Sequence, residues 1–312
     1  MNNLSVLYDT PGPRARRRNV VFTGLFLIVL ALVAWWVLQK MADHHQLDAE
    51  KWNPFVEDGR VWTEFLLPGL EGTLKAAALS IAIALPLGAA LGIGRLSDHA
   101  WIRIPVGAVV EFFRAIPVLM LMFFATQAYA EFTDIESDVR PLYAVVTGLV
   151  LYNASVIAEI VRAGILSLPR GQTDAAKAIG MRKGQLMTSV LLPQAVTVML
   201  PALVSQLVVI VKDTALGGAL LGYEELFFQV RPITANYGAN TIATITVVAL
   251  IYILVNFLLT SFASWLERKM RSRKKGTGAV LSVDQADQLE TVGGPSMVTD
   301  RQSGHSQGGF SA

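Results

Sequence analysis

The chain contains 312 residues, of which 53% are hydrophobic and 16% are charged, a balance typical of a membrane protein with several spans and too apolar for an ordinary soluble domain. It contains no cysteine, so disulfides, thiol catalysis and thiolate metal sites are excluded. The formal net charge of +2 carries little information about partners, and we expect no nucleic acid among them.

The first segment combines a basic start with a long apolar run. Residues 1–19 are polar and carry four arginines, and the uncharged run that follows ends at Trp35, Trp36 and Lys40. This run is longer than the apolar core of a signal peptide and lacks a small-residue cleavage pattern. The pattern therefore predicts a cytoplasmic basic N-terminus and a retained transmembrane helix over 20–40.

Five further apolar segments are long enough to cross a bilayer. They run approximately over Leu66–Gly94, Ile104–Ala130, Pro141–Ala158, Gly184–Val211 and Ala239–Leu266. Pro86 predicts a bend in the first of them, and Lys212 lies just beyond the predicted outer end of the fourth. The Gly-rich segment 215–237 predicts a short external or re-entrant helix. Residues 276–312 are rich in Gly, Ser, Gln and acidic residues, which predicts a disordered cytoplasmic tail.

The basic residues of the loops indicate which loops lie inside the cell. Loops expected inside carry four basic residues at the N-terminus, two in 95–103, five in 162–183 and six in 268–275, against two, one and one in 42–64, 131–140 and 213–237. Because cytoplasmic loops are enriched in Lys and Arg, this distribution predicts six spans with both termini in the cytoplasm.

A short polar stretch, Gly171–Pro193, separates two of the spans with the sequence GQTDAAKAIGMRKGQLMTSVLLP. Thr173 as N-cap, Asp174 in the first turn and Gly180 as a stop predict a helix of about two turns. Three of its apolar residues are predicted to share one small face: Ala175, Ala176 and Ile179. The residues alone leave two interpretations open, a docking face for a partner and an amphipathic helix resting on the bilayer surface.

The spacing of this stretch favours the docking interpretation. Asp174-Ala175-Ala176, then Gly180, then Val190-Leu191-Leu192-Pro193 resembles the loop of membrane subunits of bacterial ABC importers, in which Glu-Ala-Ala, Gly and Ile-x-Leu-Pro are usual. The flanks Gly171-Gln172 and Gln194-Ala195 resemble the polar amino acid branch, and the overall layout is similar to glutamate permease subunits. The resemblance implies a cytoplasmic coupling helix that sits in a cleft of the ATPase subunit. The residues it assigns to ATPase coupling are Gly171, Gln172, Asp174, Ala175, Ala176, Gly180 and Pro193.

A second stretch also resembles this family. Glu111 to Pro117 reads Glu-x-x-Arg-x-x-Pro, although Ala115-Ile116 stands where Gly-Thr is usual. The resemblance implies an all-α polytopic fold with a five-helix permease core over 66–268, preceded here by one additional N-terminal helix. It also implies that the chain lies in a lipid bilayer and has three kinds of protein partner. These are ABC ATPase subunits, a second permease subunit that is either the same or a different chain, and an extracytoplasmic amino-acid-binding protein.

Polar side chains inside apolar spans are costly and therefore face a partner helix or an aqueous path. The candidates for a translocation path or gate are Arg114, Gln127, Asn153, Glu159, Gln206 and Lys212. Each has a structural alternative, since the amides can form interhelical hydrogen bonds and Lys212 can extend to the membrane interface. Pairing of Glu159 and Arg162 with Arg114 and Glu111 is expected, as an inner gate or as a link between helices.

Sequence motifs for catalysis are absent. No Gly-x-x-x-x-Gly-Lys-Ser/Thr loop, His-Glu-x-x-His or Gly-x-Ser-x-Gly occurs, so no catalytic or metal-binding residue is predicted and ATP is expected to be used by the partner subunit. Gly88, Gly92 and Gly94 lie within an apolar span, where helix packing explains them.

These observations favour one hypothesis and leave others open. The favoured hypothesis is the transmembrane subunit of an ATP-driven importer of a polar amino acid, first of all glutamate, in the bacterial plasma (inner) membrane. Other substrates of that class, such as glutamine or a basic amino acid, form the first alternative. A secondary transporter or channel independent of ATP is the second, although no internal repeat is detectable, and a membrane scaffold with a docking helix is the third.

Overall fold

The structure is a computed structural model that describes residues 12–274, and every regular element among them is helical. The helices are α1 (Pro13–Asp43), α2 (Ala49–Trp52), α3 (Pro54–Glu57), α4 (Leu67–Gly94), α5 (Ala100–Ala115), α6 (Val118–Phe132), α7 (Arg140–Leu166), α8 (Arg170–Ala178), α9 (Lys183–Leu186), α10 (Leu192–Leu220), α11 (Val230–Asn236) and α12 (Thr241–Lys274). Two π-helical segments, Val61–Leu66 and Met187–Leu191, lead directly into α4 and α10. The predicted tail 276–312 lies outside the described residues.

The N-terminal helix α1 agrees with the span predicted over 20–40. It is 31 residues long, apolar on all sides over most of its length, and each of its residues is at least partly exposed. A helix that is apolar all round is stable where lipid surrounds it. The sequence of α1 therefore suits a lipid-facing span.

The centre of the fold is the contact between α4 and α7. Gly88 and Gly92 lie one turn apart on the buried face of α4, where a Cβ at Gly88 would lie 2.6 Å from Cγ2 of Ile157 and a Cβ at Gly92 would lie 2.7 Å from the carbonyl oxygen of Ala158. Small residues spaced in this way allow two helix backbones to approach closely in a membrane. The packing role predicted for these glycines is confirmed.

The span predicted over 104–130 is broken into two helices, α5 and α6. Helices α5 and α6 meet at 99° at Ile116 and Pro117. Proline lacks an amide hydrogen, fixes its own φ and disfavours the helical conformation of the residue before it. Ile116 accordingly takes extended angles (φ −90°, ψ 130°). Among the described residues, five helices are long and apolar enough to span a membrane, and six spans result if this bent pair counts as one.

The span predicted over Gly184–Val211 is longer in the structure than in the prediction. A continuous helical path of 38 residues runs from Lys183 to Leu220, so Lys212 lies within α10 and not just beyond its end. Pro201 lies inside α10 without ending it. The short helix predicted within 215–237 is present as α11.

Candidate functional site

The loop helix α8 begins earlier than predicted. Its first residue is Arg170 and the preceding Pro169 has extended angles (φ −57°, ψ 130°), so the predicted N-cap at Thr173 is wrong and Asp174 lies in the second turn. Proline before the helix supplies the extended entry that the Thr173 cap was expected to supply. The predicted stop at Gly180 is confirmed, because this glycine has φ +77°, in the left-handed region that ends helices.

The adjacent alanines Ala175 and Ala176 of α8 face in different directions. Ala176 is only 5% exposed and packs into the core formed by α7, α9 and α10, together with Leu186 and Leu191. Ala175 is exposed and Ile179 is 78% exposed. One residue along a helix is a rotation of 100°, whereas four residues return to the same side. The single face predicted for Ala175, Ala176 and Ile179 is therefore wrong, and the outward face contains Ala175 and Ile179 alone of the three.

The flanks of the motif meet in space. The Nε2 atom of Gln194 donates to Oε1 of Gln172 over 3.3 Å, which joins α8 to the start of α10. Pro193 is the second residue of α10, which follows directly on the π-helical segment Met187–Leu191, an irregular turn of the kind that accommodates a residue without an amide hydrogen inside a helical path. Gly171 lies on the exposed side of α8. The residues assigned to coupling thus form one compact unit, and their role in coupling stays a prediction.

Five charged side chains, which we call the arginine–glutamate cluster, meet where α4, α5 and α7 come together. Its members are Arg95, Glu111, Arg114, Glu159 and Arg162. Glu159 accepts hydrogen bonds from Arg95 Nη1 at 2.7 Å and from Arg162 Nη2 at 2.6 Å. Glu111 accepts from Arg95 Nη2 at 2.9 Å and lies 3.4 Å from Arg114 Nη1. Two carboxylates and three guanidinium groups leave this cluster with a net positive charge.

Arg95 is the central residue of this cluster, and the sequence analysis used it only as a marker of topology. It follows the last residue of α4, its side chain is 15% exposed, and it is bonded to acids of both α5 and α7. The predicted link between Glu159 and Arg114 exists only as a 4.0 Å contact, and Arg162 pairs with Glu159 of its own helix. Each of the carboxylates Glu111 and Glu159 can accept hydrogen bonds from two cations. This capacity was the only feature of the sequence that could have indicated Arg95 as a further partner.

Asn153 and Gln206 come together between α7 and α10. The Nε2 atom of Gln206 donates to Oδ1 of the fully buried Asn153 at 2.5 Å, and Asn153 Nδ2 donates to the carbonyl of Leu149 at 2.7 Å. A buried amide is tolerated because both of its polar atoms are bonded. The other two candidates, Gln127 and Lys212, are exposed on α6 and α10.

Two cavities adjoin the predicted path residues. One, of about 400 Å³, lies at the end of α5 and is lined by Glu111, Arg114, Ala115, Tyr152 and Val156. The other, of about 340 Å³, has Lys212 as its only charged lining residue among those the structure describes, with Phe227 and Tyr252 among its walls. A cation on an otherwise apolar wall attracts a carboxylate strongly. Lys212 therefore has the chemistry that binding of a carboxylate requires, whereas Arg114 shares its cavity with the acid Glu111.

A buried acid that the sequence analysis missed lies between α10 and α11. Glu225 is fully buried and accepts hydrogen bonds from Thr73 Oγ1 at 3.2 Å, from the amide of Phe228 at 2.8 Å and from the hydroxyl of Tyr252. Within the described chain, no Lys or Arg forms an ion pair with it. Burial raises the pKa of the Glu225 carboxyl above its ordinary value.

The surroundings of Glu225 are fitted to its side chain. A Cβ on Gly218 would lie 1.7 Å from Oε1 of Glu225, so only glycine leaves room for the carboxyl group there. The neighbouring Tyr223 donates to the carbonyl of Gly72 at 2.7 Å, and burial raises the pKa of its hydroxyl to about 12. We call Thr73, Glu225 and Tyr252 the buried glutamate node. It connects α4 and α12 through the segment before α11.

The apolar helices and the buried polar links between them define a multi-pass helical membrane protein. The chain belongs to the family described as the binding-protein-dependent transport system inner membrane component, whose sequence profile matches residues 84–272. It is 48% identical over 253 residues to the glutamate transport system permease protein GluD of Corynebacterium glutamicum, which covers 80% of this chain and 92% of the relative.

Two further similarities extend this result. The arginine transport system permease protein ArtQ of Bacillus subtilis is 31% identical over 217 residues, or 67% of this chain and 93% of the relative. A crystal structure of an amino acid ABC transporter with histidines matches with a TM-score of 0.59 and 27% identity, over 67% of this chain and 95% of that one. The resemblance to permease subunits of amino acid ABC importers and the all-helical fold are therefore confirmed. The chain is a translocation subunit of that class.

Proposed function

We propose that this chain is the transmembrane subunit of an ATP-driven importer that carries glutamate across the bacterial plasma (inner) membrane. The observation that carries the proposal is the 48% identity with a glutamate permease over 92% of that relative. In this proposal ATP is bound and hydrolysed by separate ATPase subunits. A second permease subunit and an extracytoplasmic amino-acid-binding protein complete the importer, and both termini of this chain lie in the cytoplasm.

The two sides of α8 support its proposed role as the coupling helix. The small outward residues Gly171 and Ala175 permit a close approach of the ATPase subunit, and the exposed Ile179 offers it apolar area. Ala176, rotated by about 100° from Ala175, packs into a core that includes Ala84 of α4 and Ile157 of α7. Close-packed interiors transmit displacement, so a movement of α8 imposed by the ATPase would reach the spans.

The arginine–glutamate cluster supports the proposed gate. Arg95 holds Glu111 of α5 and Glu159 of α7 together, and the adjacent cavity contains Arg114. A glutamate side chain arriving in that cavity offers a carboxylate to Arg114, which is held less tightly by its own partners than Arg95 is. In this proposal Gln127, Asn153, Gln206 and Lys212 contribute to the path between the two sides.

Reconstitution of the full set of subunits tests the function. Uptake of glutamate should require a functional ATPase subunit and should continue when sodium and proton gradients are abolished. Glutamate should compete better than glutamine or arginine when the binding protein is present. Gradient-driven uptake by this chain alone would show that it is a secondary transporter. Preferred competition by arginine would replace glutamate as the substrate and leave the importer class intact.

The coupling role of α8 can be tested on its outward face. Ile179→Glu places a charge on the proposed apolar contact, where burial without a partner is unfavourable, and should abolish co-purification of the ATPase subunit while leaving the amount in the membrane near normal. Val56→Glu is the matched control, because Val56 is 88% exposed on α3, far along the chain. Normal ATPase binding and normal coupled hydrolysis in Ile179→Glu would remove the coupling assignment.

A further inference from the structure

A cavity on the side of α8 that carries Arg170 and Lys177 combines three cations with an apolar wall. It has a volume of about 580 Å³, and its charged lining residues are Arg170, Lys177, Lys183 and Asp98. Arg170 and Lys177 lie seven residues apart, two turns along the same side of α8, with Thr173 between them. We propose that this cavity binds the headgroup and upper acyl chain of an anionic phospholipid.

The charge of the cavity is unbalanced in favour of an anion. Lys183 donates to Asp98 and to the carbonyl of Leu96, the latter at 2.7 Å, and its hydrogen bond, with a smaller contribution from the charge of Lys177, lowers the pKa of the Asp98 carboxyl. This ion pair is internally neutral. The side chains of Arg170 and Lys177 form no hydrogen bond or ion pair with any other residue in the described part of the chain. Two cations therefore remain available for a phosphate group.

The apolar side of the cavity distinguishes a lipid from a free anion. Leu166 is the last residue of the apolar helix α7, it is exposed, and it lines the cavity together with Leu168 and Met187. Free phosphate bound at Arg170 would leave this wall in water. The acyl chain of a phospholipid covers this apolar wall, and the phosphate of the same lipid contacts the two cations. A phospholipid therefore fits both the apolar and the charged side of the cavity.

Occupancy would add a second connection between α8 and α7, which already share a packed core through Ala176. The headgroup would contact α8, and the acyl chain would contact the end of α7, so a bound lipid restrains α8 relative to the spans. Lipid binding itself requires neither an ATPase partner nor a transported substrate. Its test is therefore independent of the function proposed above.

The test measures lipid binding to the purified full chain in detergent by native mass spectrometry, with phosphatidylglycerol as the probe and phosphatidylcholine as the uncharged comparison. Each basic residue near a lipid headgroup changes affinity about fivefold, so Arg170→Gln or Lys177→Gln should weaken phosphatidylglycerol binding about fivefold and the double variant about 25-fold. Phosphatidylcholine binding should be weak and unchanged. Arg182→Gln is the matched control, because Arg182 is exposed in the same loop and lies outside the cavity lining.

Further measurements distinguish a lipid headgroup from a soluble phosphate as the bound anion. Leu166→Asn should weaken phosphatidylglycerol binding and leave binding of glycerol phosphate unchanged, since it alters the acyl wall only. Glycerol phosphate bound as tightly as phosphatidylglycerol would overturn the lipid assignment in favour of a soluble anion. Equal weakening by Arg182→Gln and by the double variant would overturn the site, because binding would then follow loop charge alone. Thermal unfolding without added lipid confirms that each variant is folded.

Discussion

Two polar clusters at opposite ends of α4 accommodate a glutamate in different ways. Near its C-terminal end, Glu159 is compensated by Arg95 and Arg162 and lies in a partly exposed cluster. Toward its N-terminal end, Glu225 is fully buried and is held by hydrogen bonds from Thr73, Tyr252 and a backbone amide. The first arrangement compensates a charged carboxylate with cations, whereas the second compensates its burial with hydrogen bonds alone, and burial raises the pKa of its carboxyl. Substitutions should therefore affect the two clusters differently.

The largest difference is expected when a cation is introduced at the buried glutamate node. Glu225→Lys places an ammonium group in a site built without a cation and should lower the free energy of unfolding by about 3–5 kcal/mol. The adjacent Glu224→Lys is the matched control and should have little effect, because Glu224 is exposed. Thermal unfolding in detergent measures both. Similar losses in the two variants would mean that burial at position 225 is not what matters.

The arginine–glutamate cluster should depend on its central residue more than on its outer one. Arg95 is 15% exposed and bonds two carboxylates at 2.7 and 2.9 Å, whereas Arg114 is 36% exposed and lies 3.4 Å from its nearer acid. Arg95→Gln should cost about 1.5–3 kcal/mol of unfolding free energy, and Arg114→Gln about 1 kcal/mol or less. Thermal unfolding of the two variants side by side checks this order, and a reversed order would contradict the central role of Arg95.

The node should also respond to pH in a direction that the cluster does not share. Burial raises the pKa of Glu225 above its ordinary value of 4.5, so the folded chain holds the proton more tightly than the unfolded chain. The contribution to stability is complete below about pH 4.5 and is lost as pH rises toward the folded-state pKa. Glu225→Gln keeps the shape without titrating, so its unfolding temperature should fall less than that of the wild type over this range. Parallel curves would show that Glu225 does not titrate between the states.

Salt should produce the smallest difference. Screening weakens interactions between exposed charges and leaves buried hydrogen bonds largely unaffected. Raising the salt concentration to about 1 M should lower the stability of the wild type by about 1 kcal/mol or less, and Arg95→Gln should lose less than the wild type because its cluster is already weakened. Glu225→Gln should lose as much as the wild type. A salt-induced loss of stability that is smaller in Glu225→Gln than in the wild type, and unchanged in Arg95→Gln, would contradict the comparison.

The spans were predictable because each is long and apolar, but the break in the third was not. Pro86 and Pro201 lie inside continuous helices, whereas Pro117 separates two helices. A proline in a span is compatible with a bend or with a break, and the packing around it selects one of them. The sequence therefore shows that a proline is present at position 117 but does not give the 99° angle between α5 and α6.

The candidate site was predictable where local spacing determines it and not where tertiary contacts do. The presence of α8 and its stop at Gly180 follow from neighbouring residues, although its first residue does not. The inward direction of Ala176 does not, because helical periodicity gives the angle between side chains but not the side that faces the core. The contacts of Arg95 with two other helices, and the burial of Glu225 in a segment that reads as a polar loop, join residues far apart in sequence. Such pairs have no local signal.

The break between α5 and α6 has a consequence for how this part of the chain can change. A helix that ends at Ala115 leaves the carbonyl oxygens of its last turn without intrahelical partners, and these lie near the cavity that contains Arg114 and Tyr152. Helix α5 has 16 residues and helix α6 has 15, so each is at most about 24 Å long at about 1.5 Å per residue. Neither helix alone crosses the hydrocarbon core of a bilayer, which is roughly 30 Å thick. The main chain thus supplies hydrogen-bond acceptors beside this cavity that no side-chain replacement can remove.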